Sequence, residues 1–353
     1  MQQGPILLLA SERSGTNLMR TRMNNHSKIA APPPIHLFKN FYMNEIYYGD
    51  LTNDNNLDVL LNDIFDLNST SIEPWEIKFN ADDVKSRLNK KTFTDIFSVF
   101  FELYAESQNK EIWFCKENKL FEYAWKILQT IPGSRFIYLV RDPRDVFVSF
   151  KKRTSGEKTA FAFSQMWKHE NSQCIRLLYE PLIKNRMLLV KYEDILQYPE
   201  ETYKRICDFA GVEFEKEMLR GKKSRIKERI KDWENISKDI IKNNHNKFVK
   251  ALKHREIKII EANLNKEMSA LNYQKLIKNN DFKFMAFRNR KVFLMLNEYM
   301  KRFLTHIIRK YIKSIYIKEI KEEYQIRSKR MAVISRIRNR NLLKTEQKQR
   351  ENQ

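Results

Sequence analysis

What this chain lacks narrows its chemistry before any motif is read. Its three cysteines, Cys115, Cys174 and Cys207, are odd in number, far apart and free of any CxxC spacing. A disulfide framework is therefore excluded, and buried free thiols in a reducing compartment are expected. The string GxxxxGK(S/T) is absent, which removes the main support for ATP hydrolysis. No basic start leads into an apolar segment of signal-peptide type, and no apolar run reaches membrane-spanning length, so a cytoplasmic protein is expected. Asn-x-Ser/Thr triplets begin at Asn25, Asn68 and Asn235, but they carry meaning only in a secreted chain. Glycine is scarce, at seven residues, beside abundant Lys, Asn and Ile. Biased codon usage also produces that mixture, so charge alone says little about function.

What is present is a large core and a strong positive excess. With 353 residues, 42% of them hydrophobic, the chain can bury a full core and carry an appended segment. Its net charge of +22 favours phosphates, sulfates, nucleic acid or anionic membrane surfaces as partners. That excess is uneven: residues 280–353 hold 20 Lys or Arg against 7 Asp or Glu.

The apolar run Ile6-Leu7-Leu8-Leu9 reads as a buried strand, and a helix is expected from Thr16 to about Asn25. Between them Ser11-Glu12-Arg13-Ser14-Gly15 forms a tight loop. Unpaired amides at a helix start favour an anion, and Gly15 lets the backbone approach it. Arg13, Ser14, Thr16 and Asn17 add side-chain donors. An ordinary capped helix explains this stretch alone equally well. Further strands are expected at 28–31, 112–115, 135–140 and 187–191, alternating with helices, which indicates a mainly parallel sheet covered on both faces. Residues 41–108 carry helical spacing, as in Leu57, Leu60, Leu61, Ile64 and Phe65, and read as a helical insertion. Pro32-Pro33-Pro34 ends the second strand and places His36 at the sheet's C-terminal edge, where open α/β sheets bind ligands. After the fourth strand comes Arg141-Asp142-Pro143-Arg144-Asp145. Here Arg141 can fork onto an anion, while Arg144 and Asp145 read as an ion pair tying the loop.

Together these two anion sites resemble the sulfotransferase superfamily, which uses 3′-phosphoadenosine 5′-phosphosulfate. Ser11-Glu12-Arg13-Ser14-Gly15-Thr16-Asn17-Leu18 is similar to its 5′-phosphosulfate loop, and the stretch from Phe136 through Val146, with Ser149, to its 3′-phosphate motif. Val190-Lys191-Tyr192-Glu193-Asp194-Ile195 and Ile206-Cys207-Asp208-Phe209-Ala210-Gly211-Val212 extend the likeness, which covers about residues 4–273. The resemblance implies a P-loop NTPase-like three-layer α/β sandwich and donor binding by Arg13, Ser14, Gly15, Thr16 and Asn17. It implies 3′-phosphate binding by Arg141 and Ser149, with Tyr192 near the adenine and Lys247 reaching the donor. Lys116 sits where many glycan and protein sulfotransferases of the superfamily place a lysine that contacts the transferring group. Many relatives also carry a glutamate after the second strand, which this chain lacks. His36 is the best replacement as base, with Glu45 and Glu117 in reserve. A sulfuryl group carries less charge than a phosphoryl group, and no metal is expected. The acceptor implied is a hydroxyl, on a glycan or glycolipid.

A sulfotransferase domain over 1–280 would then be followed by a basic amphipathic helical extension over 281–353. Phe293, Leu296, Met300, Phe303, Leu304 and Ile307 share one face there, which suits an anionic membrane surface or self-association through 281–320. Residues 327–353 read as a solvated tail. Lys222, Lys223 and Arg225 lie in a run that is usually solvated, although relatives close the donor site with a basic loop nearby. A noncatalytic nucleotide-binding protein of the same fold is the main alternative. A nucleic-acid-binding protein using the tail ranks lower, because no known module is present.

Overall fold

Five parallel strands in the order β2-β3-β1-β4-β5 form the centre of the molecule. The computed structural model describes residues 4–152, 159–221, 239–240, 244–276 and 328–339. The strands are β1 (Ile6–Leu9), β2 (Ile29–Ala30), β3 (Ile112–Cys115), β4 (Arg135–Val140) and β5 (Met187–Lys191). β1 and β3 are buried along their whole length, as strands covered on both faces must be. Alternation sorts their side chains into two cores. Leu7, Leu9, Phe136, Tyr138 and Val140 face one layer of helices, and Ile6, Leu8, Ile137 and Leu139 face the other. The result is a three-layer α/β sandwich.

On the first face lie α5 (Phe93–Ser107), α6 (Ala124–Thr130), α7 (Pro143–Lys151) and α8 (Ala160–Tyr179). On the second lie α1 (Thr16–Asn24), α9 (Tyr192–Gln197) and α10 (Pro199–Ala210). The helix expected after β3 is divided: Leu120–Tyr123 is a 3-10 turn, and only Ala124–Thr130 is α-helical. Residues 41–108 contain α3 (Asp54–Ser69), α4 (Ala81–Arg87) and α5. Leu57, Leu60, Leu61 and Ile64 are buried there, and Phe65 packs half-buried against Phe79 and Phe100. Between β2 and this region runs α2 (Leu37–Phe41). α11 (Phe248–Ala251), α12 (His254–Asn263) and α13 (Asn265–Ala270) return across α7 and α8.

Two local expectations change. Arg144 does not pair with Asp145. Its guanidinium forks onto Asp142, with Nη2 2.6 Å from Oδ2 and Nε 3.0 Å from Oδ1, and Nη1 reaches Glu261 at 2.6 Å. The preceding Pro143 bends the chain so that Asp142 caps α7 and turns back on Arg144, while the Asp145 carboxylate accepts the amide of Phe248 at 2.9 Å. Nor are residues 328–339 a solvated tail. They form a helix, α14, whose Ile337 is only 1% exposed in the first core and whose Arg336 reaches Asp63 and Asp66 on α3. A three-to-four-residue apolar spacing (Val333, Ile334, Ile337) supplies the buried stripe that a tail would lack. The residues expected to form the amphipathic face over 281–320, together with Lys222, Lys223 and Arg225, lie outside the described residues.

Candidate active site

At the end of β1 the backbone turns sharply through two left-handed residues, Arg13 (φ 67°) and Gly15 (φ 91°), before α1 begins at Thr16. Gly15 is required twice over. Its conformation favours glycine, and a Cβ there would lie 2.3 Å from Cδ2 of Tyr192. Ser14 is buried and its hydroxyl lies 2.8 Å from that of Ser11, so this serine shapes the loop from beneath. Gly15, Thr16 and Asn17 stay partly open at the helix start. The loop therefore presents early helical amides flanked by the Arg13 side chain, an arrangement suited to an anion.

β4 is the neighbour of β1, and its C-terminal end carries the second half of the site. Arg13 Nε donates to Ser149 Oγ on α7 at 3.0 Å, and Arg141 Nη1 donates to the Arg13 carbonyl at 3.3 Å. Loop and second motif are thus joined directly. The Arg141 guanidinium stacks 4.4 Å from the centre of the Tyr192 ring, which is itself wedged against Gly15. Asn244 finishes this assembly. Its Nδ2 donates to the Tyr192 hydroxyl at 2.8 Å, and its carbonyl accepts from Arg141 Nη2 at 3.3 Å.

Arg141 is 8% exposed, and among the described residues its hydrogen-bonding partners are carbonyls and its buried Nε has none. Asp145 lies close enough to interact electrostatically with Arg141, and a ligand anion on the fork would add the charge-assisted bonds that carbonyls do not supply. Lys247 adds to the charge. Its pKa is depressed by desolvation, then by the nearby cations Lys152 and Arg141. Asp145 opposes that depression, and an incoming anion would relieve the remaining crowding at Lys247. Asn244 and Lys152 were not singled out from sequence. Lys152 belongs to the visible run Lys151-Lys152-Arg153, but Asn244 joins the site only through the return of the chain from α10, which leaves no local signal.

The family model described as "Sulfotransferase family" matches residues 5–216, more than half of the chain. This chain belongs to the sulfotransferase family. A putative protein-tyrosine sulfotransferase of Caenorhabditis briggsae is 27% identical over 158 residues, covering 41% of this chain and 54% of that protein. The chain therefore spans about half the length of this curated relative. Among solved structures, the sulfotransferase domain of the Synechococcus PCC 7002 olefin synthase aligns with a TM-score of 0.50 at 20% identity, over 73% of this chain and 93% of that one. The sulfotransferase domain of the curacin biosynthetic pathway aligns with a TM-score of 0.51 at 22% identity, over 77% and 98% respectively. Both likenesses concern the fold, and they agree with the three-layer α/β sheet.

On the other flank of the sulfotransferase loop stand Lys116, Glu117 and His36. Lys116 is buried, donates to Asn118 Oδ1 at 3.2 Å, and has its pKa lowered to about 8 by burial and then by Arg20. Asn118 in turn donates to Glu12 in the loop at 3.2 Å, which links β3 to the anion site. Glu117 is pushed up to about 7 by burial, yet it is not idle. Its two oxygens accept the amides of Leu37 at 2.6 Å and Phe38 at 3.0 Å, holding the start of α2. Glu45 is similarly engaged, accepting the Phe93 amide at 2.8 Å at the start of α5. His36 lies between, in a left-handed conformation (φ 64°), with Nδ1 sealed and unpartnered. Burial, then Lys116, Arg330 and Lys39, lower its pKa to about 3. The imidazole is therefore neutral throughout the physiological range, available as a proton acceptor but a weak one.

Proposed function

We propose that this chain transfers a sulfuryl group from 3′-phosphoadenosine 5′-phosphosulfate to an acceptor hydroxyl by in-line displacement. The observation that carries the reading is the cluster of Arg141, Lys247 and Lys152, three cations with Asp145 as the neighbouring carboxylate, beside the Arg13–Ser149 contact. It supplies a second anion site one strand away from a helix-start loop, which suits a ligand with separate 5′ and 3′ anions. Gly15, Thr16 and Asn17 with Arg13 would hold the 5′ end. Arg141, Ser149 and Lys247 would hold the 3′-phosphate, and Tyr192 would form the floor toward the adenine. The donor supplies a sulfur–oxygen bond whose cleavage leaves charge on a phosphate while the acceptor oxygen bonds to sulfur.

The chain's own part is positioning and charge. Arg13 and the helix-start amides face the position where charge grows, so they favour the transition state over the bound donor. Lys116, as a buried cation, would neutralise the oxygens of the moving group. In a loose transition state the acceptor proton becomes acidic late, so even a weak base such as His36 suffices, provided that it is unprotonated.

Calorimetry with adenosine 3′,5′-bisphosphate tests the donor site. Binding by the unmodified chain is expected, weakened about 10- to 100-fold in Arg13→Ala and in Arg141→Ala, the worth of a charge-assisted contact of about 1.5–3 kcal/mol. No binding by the unmodified chain would sink the reading.

For the acceptor we infer a hydroxyl on a glycan or glycolipid, with the basic 281–320 segment as the candidate membrane contact. A second reading, a tyrosine phenol on a protein, draws on the likeness to the putative protein-tyrosine sulfotransferase. Radiolabelled transfer to a glycan and lipid extract, run beside tyrosine peptides, separates the two. Loss of transfer in His36→Ala is expected with either acceptor, and undiminished transfer would remove His36 from the mechanism.

A further inference from the structure

The segment between β2 and α2 has an unusual backbone problem. Pro32, Pro33 and Pro34 have no amide hydrogen, so the stretch cannot add to a sheet, yet its carbonyls still need donors. Side chains supply them at every second residue. Arg20 Nη1 donates to the Ala31 carbonyl at 3.0 Å, Trp75 Nε1 to the Pro33 carbonyl at 2.6 Å, and Arg330 Nη2 to the Ile35 carbonyl at 2.8 Å. The first two come from α1 and from the insertion. The third comes from α14, well beyond residue 216, where the family match ends.

Arg330 does more than satisfy one carbonyl. Its Nη1 donates to the Leu67 carbonyl at 3.1 Å and to the Ser71 hydroxyl, so one fork joins the end of α3 to the residue before His36. Immediately after His36, Glu117 receives the amides of Leu37 and Phe38. The peptide is thus gripped through its carbonyl on one side and its amides on the other. His36 lies between the two grips, in the left-handed conformation (φ 64°) that few residues other than glycine adopt, although histidine is among the more tolerant. α14 itself is anchored independently, by Ile337 in the core and by Arg336 on Asp63 and Asp66.

We infer that Arg330 is a positioning residue for the acceptor side of the site, and that α14 is a strap which completes the His36 wall from outside the family's own segment. The strap acts through the backbone of Ile35 and His36. The kinetic meaning of the wall rests on the sulfotransferase reading above, whereas its geometry does not.

The test uses the full chain and three substitutions. In Arg330→Ala, hydrogen exchange at the Leu37 and Phe38 amides should accelerate at least 10-fold, with exchange at residues 13–17 unchanged and adenosine 3′,5′-bisphosphate affinity within 2-fold of the unmodified chain. Arg330→Lys keeps the charge but not the fork, and should show intermediate exchange. The imidazole of His36, followed by NMR, reports the charge separately. Lys116, Lys39 and Glu117 also face it, so Arg330→Ala should raise its titration midpoint while Arg330→Lys leaves it near that of the unmodified chain. Arg336→Ala, which loses only the contact to α3, should leave Leu37 and Phe38 protected. Unchanged protection in Arg330→Ala overturns the proposal, as does full protection in Arg330→Lys or a general rise in exchange that includes residues 13–17. If Arg330→Ala does not fold, the lysine variant decides alone. A chain that fails to bind the bisphosphate while showing the expected exchange would leave the strap standing and remove the donor reading.

Discussion

At the scale of single residues, the buried groups beside the loop set how the site responds to pH. In the proposed mechanism Lys116 acts as a cation, and its pKa of about 8 means that the charge is lost as pH rises through that value. We expect kcat/KM for transfer to fall on an alkaline limb with a midpoint near 8, and the limb to move to higher pH in Lys116→Arg, whose guanidinium does not deprotonate. A limb unmoved by that substitution would assign the titration elsewhere. His36, at about 3, stays neutral across the assay range and should contribute no acid limb above pH 5. Glu117 acts on stability with the opposite sign from an ordinary paired carboxylate. Its pKa rises from 4.5 to about 7, so the folded chain holds a proton that the unfolded chain has lost between those values, and its contribution to stability declines as pH rises through that window. The residue types of this site were legible in sequence for Arg13, Arg141, Ser149, Lys116 and His36. The depressed imidazole was not, because it arises first from burial and then from Lys116 and Arg330, which lie far from His36 in the chain.

At the scale of elements, the strand-loop-helix units were readable because each is local: an apolar run, a turn residue and a capped start. Gly15 shows how much one such position carries. Gly15→Ala must adopt a left-handed conformation and place a methyl against the Tyr192 ring, which in turn supports Arg141. A loss of about 2–4 kcal/mol is expected in thermal melts, from the conformational cost together with overpacking, and bisphosphate affinity should fall with it. The Arg144 network was misread for the complementary reason. Its carboxylate partner Glu261 lies on α12, and the guanidinium also stacks 4.0 Å from the Phe248 ring. No spacing around Asp142-Pro143-Arg144 reveals either contact. Arg144→Ala removes the guanidinium shared by Asp142 and the fully buried Glu261 and leaves their backbone-amide bonds, and by the usual penalty for breaking a buried pair it should cost about 3–5 kcal/mol while leaving Arg13 and Ser149 in place.

At the scale of the whole molecule, the question is whether the chain beyond the sulfotransferase core behaves as an appendage or as part of one cooperative body. The composition of 281–353 points to an appendage, since its charge is high and the family likeness ends before it. Only a long-range contact distinguishes a docked helix from a solvated one, and α14 makes such contacts with residues more than 250 positions earlier, at Leu67, Ser71 and Asp66. Ile337 is the residue to test. Truncating a buried isoleucine to alanine costs about 2–5 kcal/mol where the surroundings cannot collapse into the gap. If α14 belongs to the core, Ile337→Ala should lower the single calorimetric transition of the full chain and leave its shape cooperative. A separate low-temperature transition, with the main one unmoved, would mean that α14 melts on its own and that the His36 wall is held by Arg20, Trp75 and Glu117 without it.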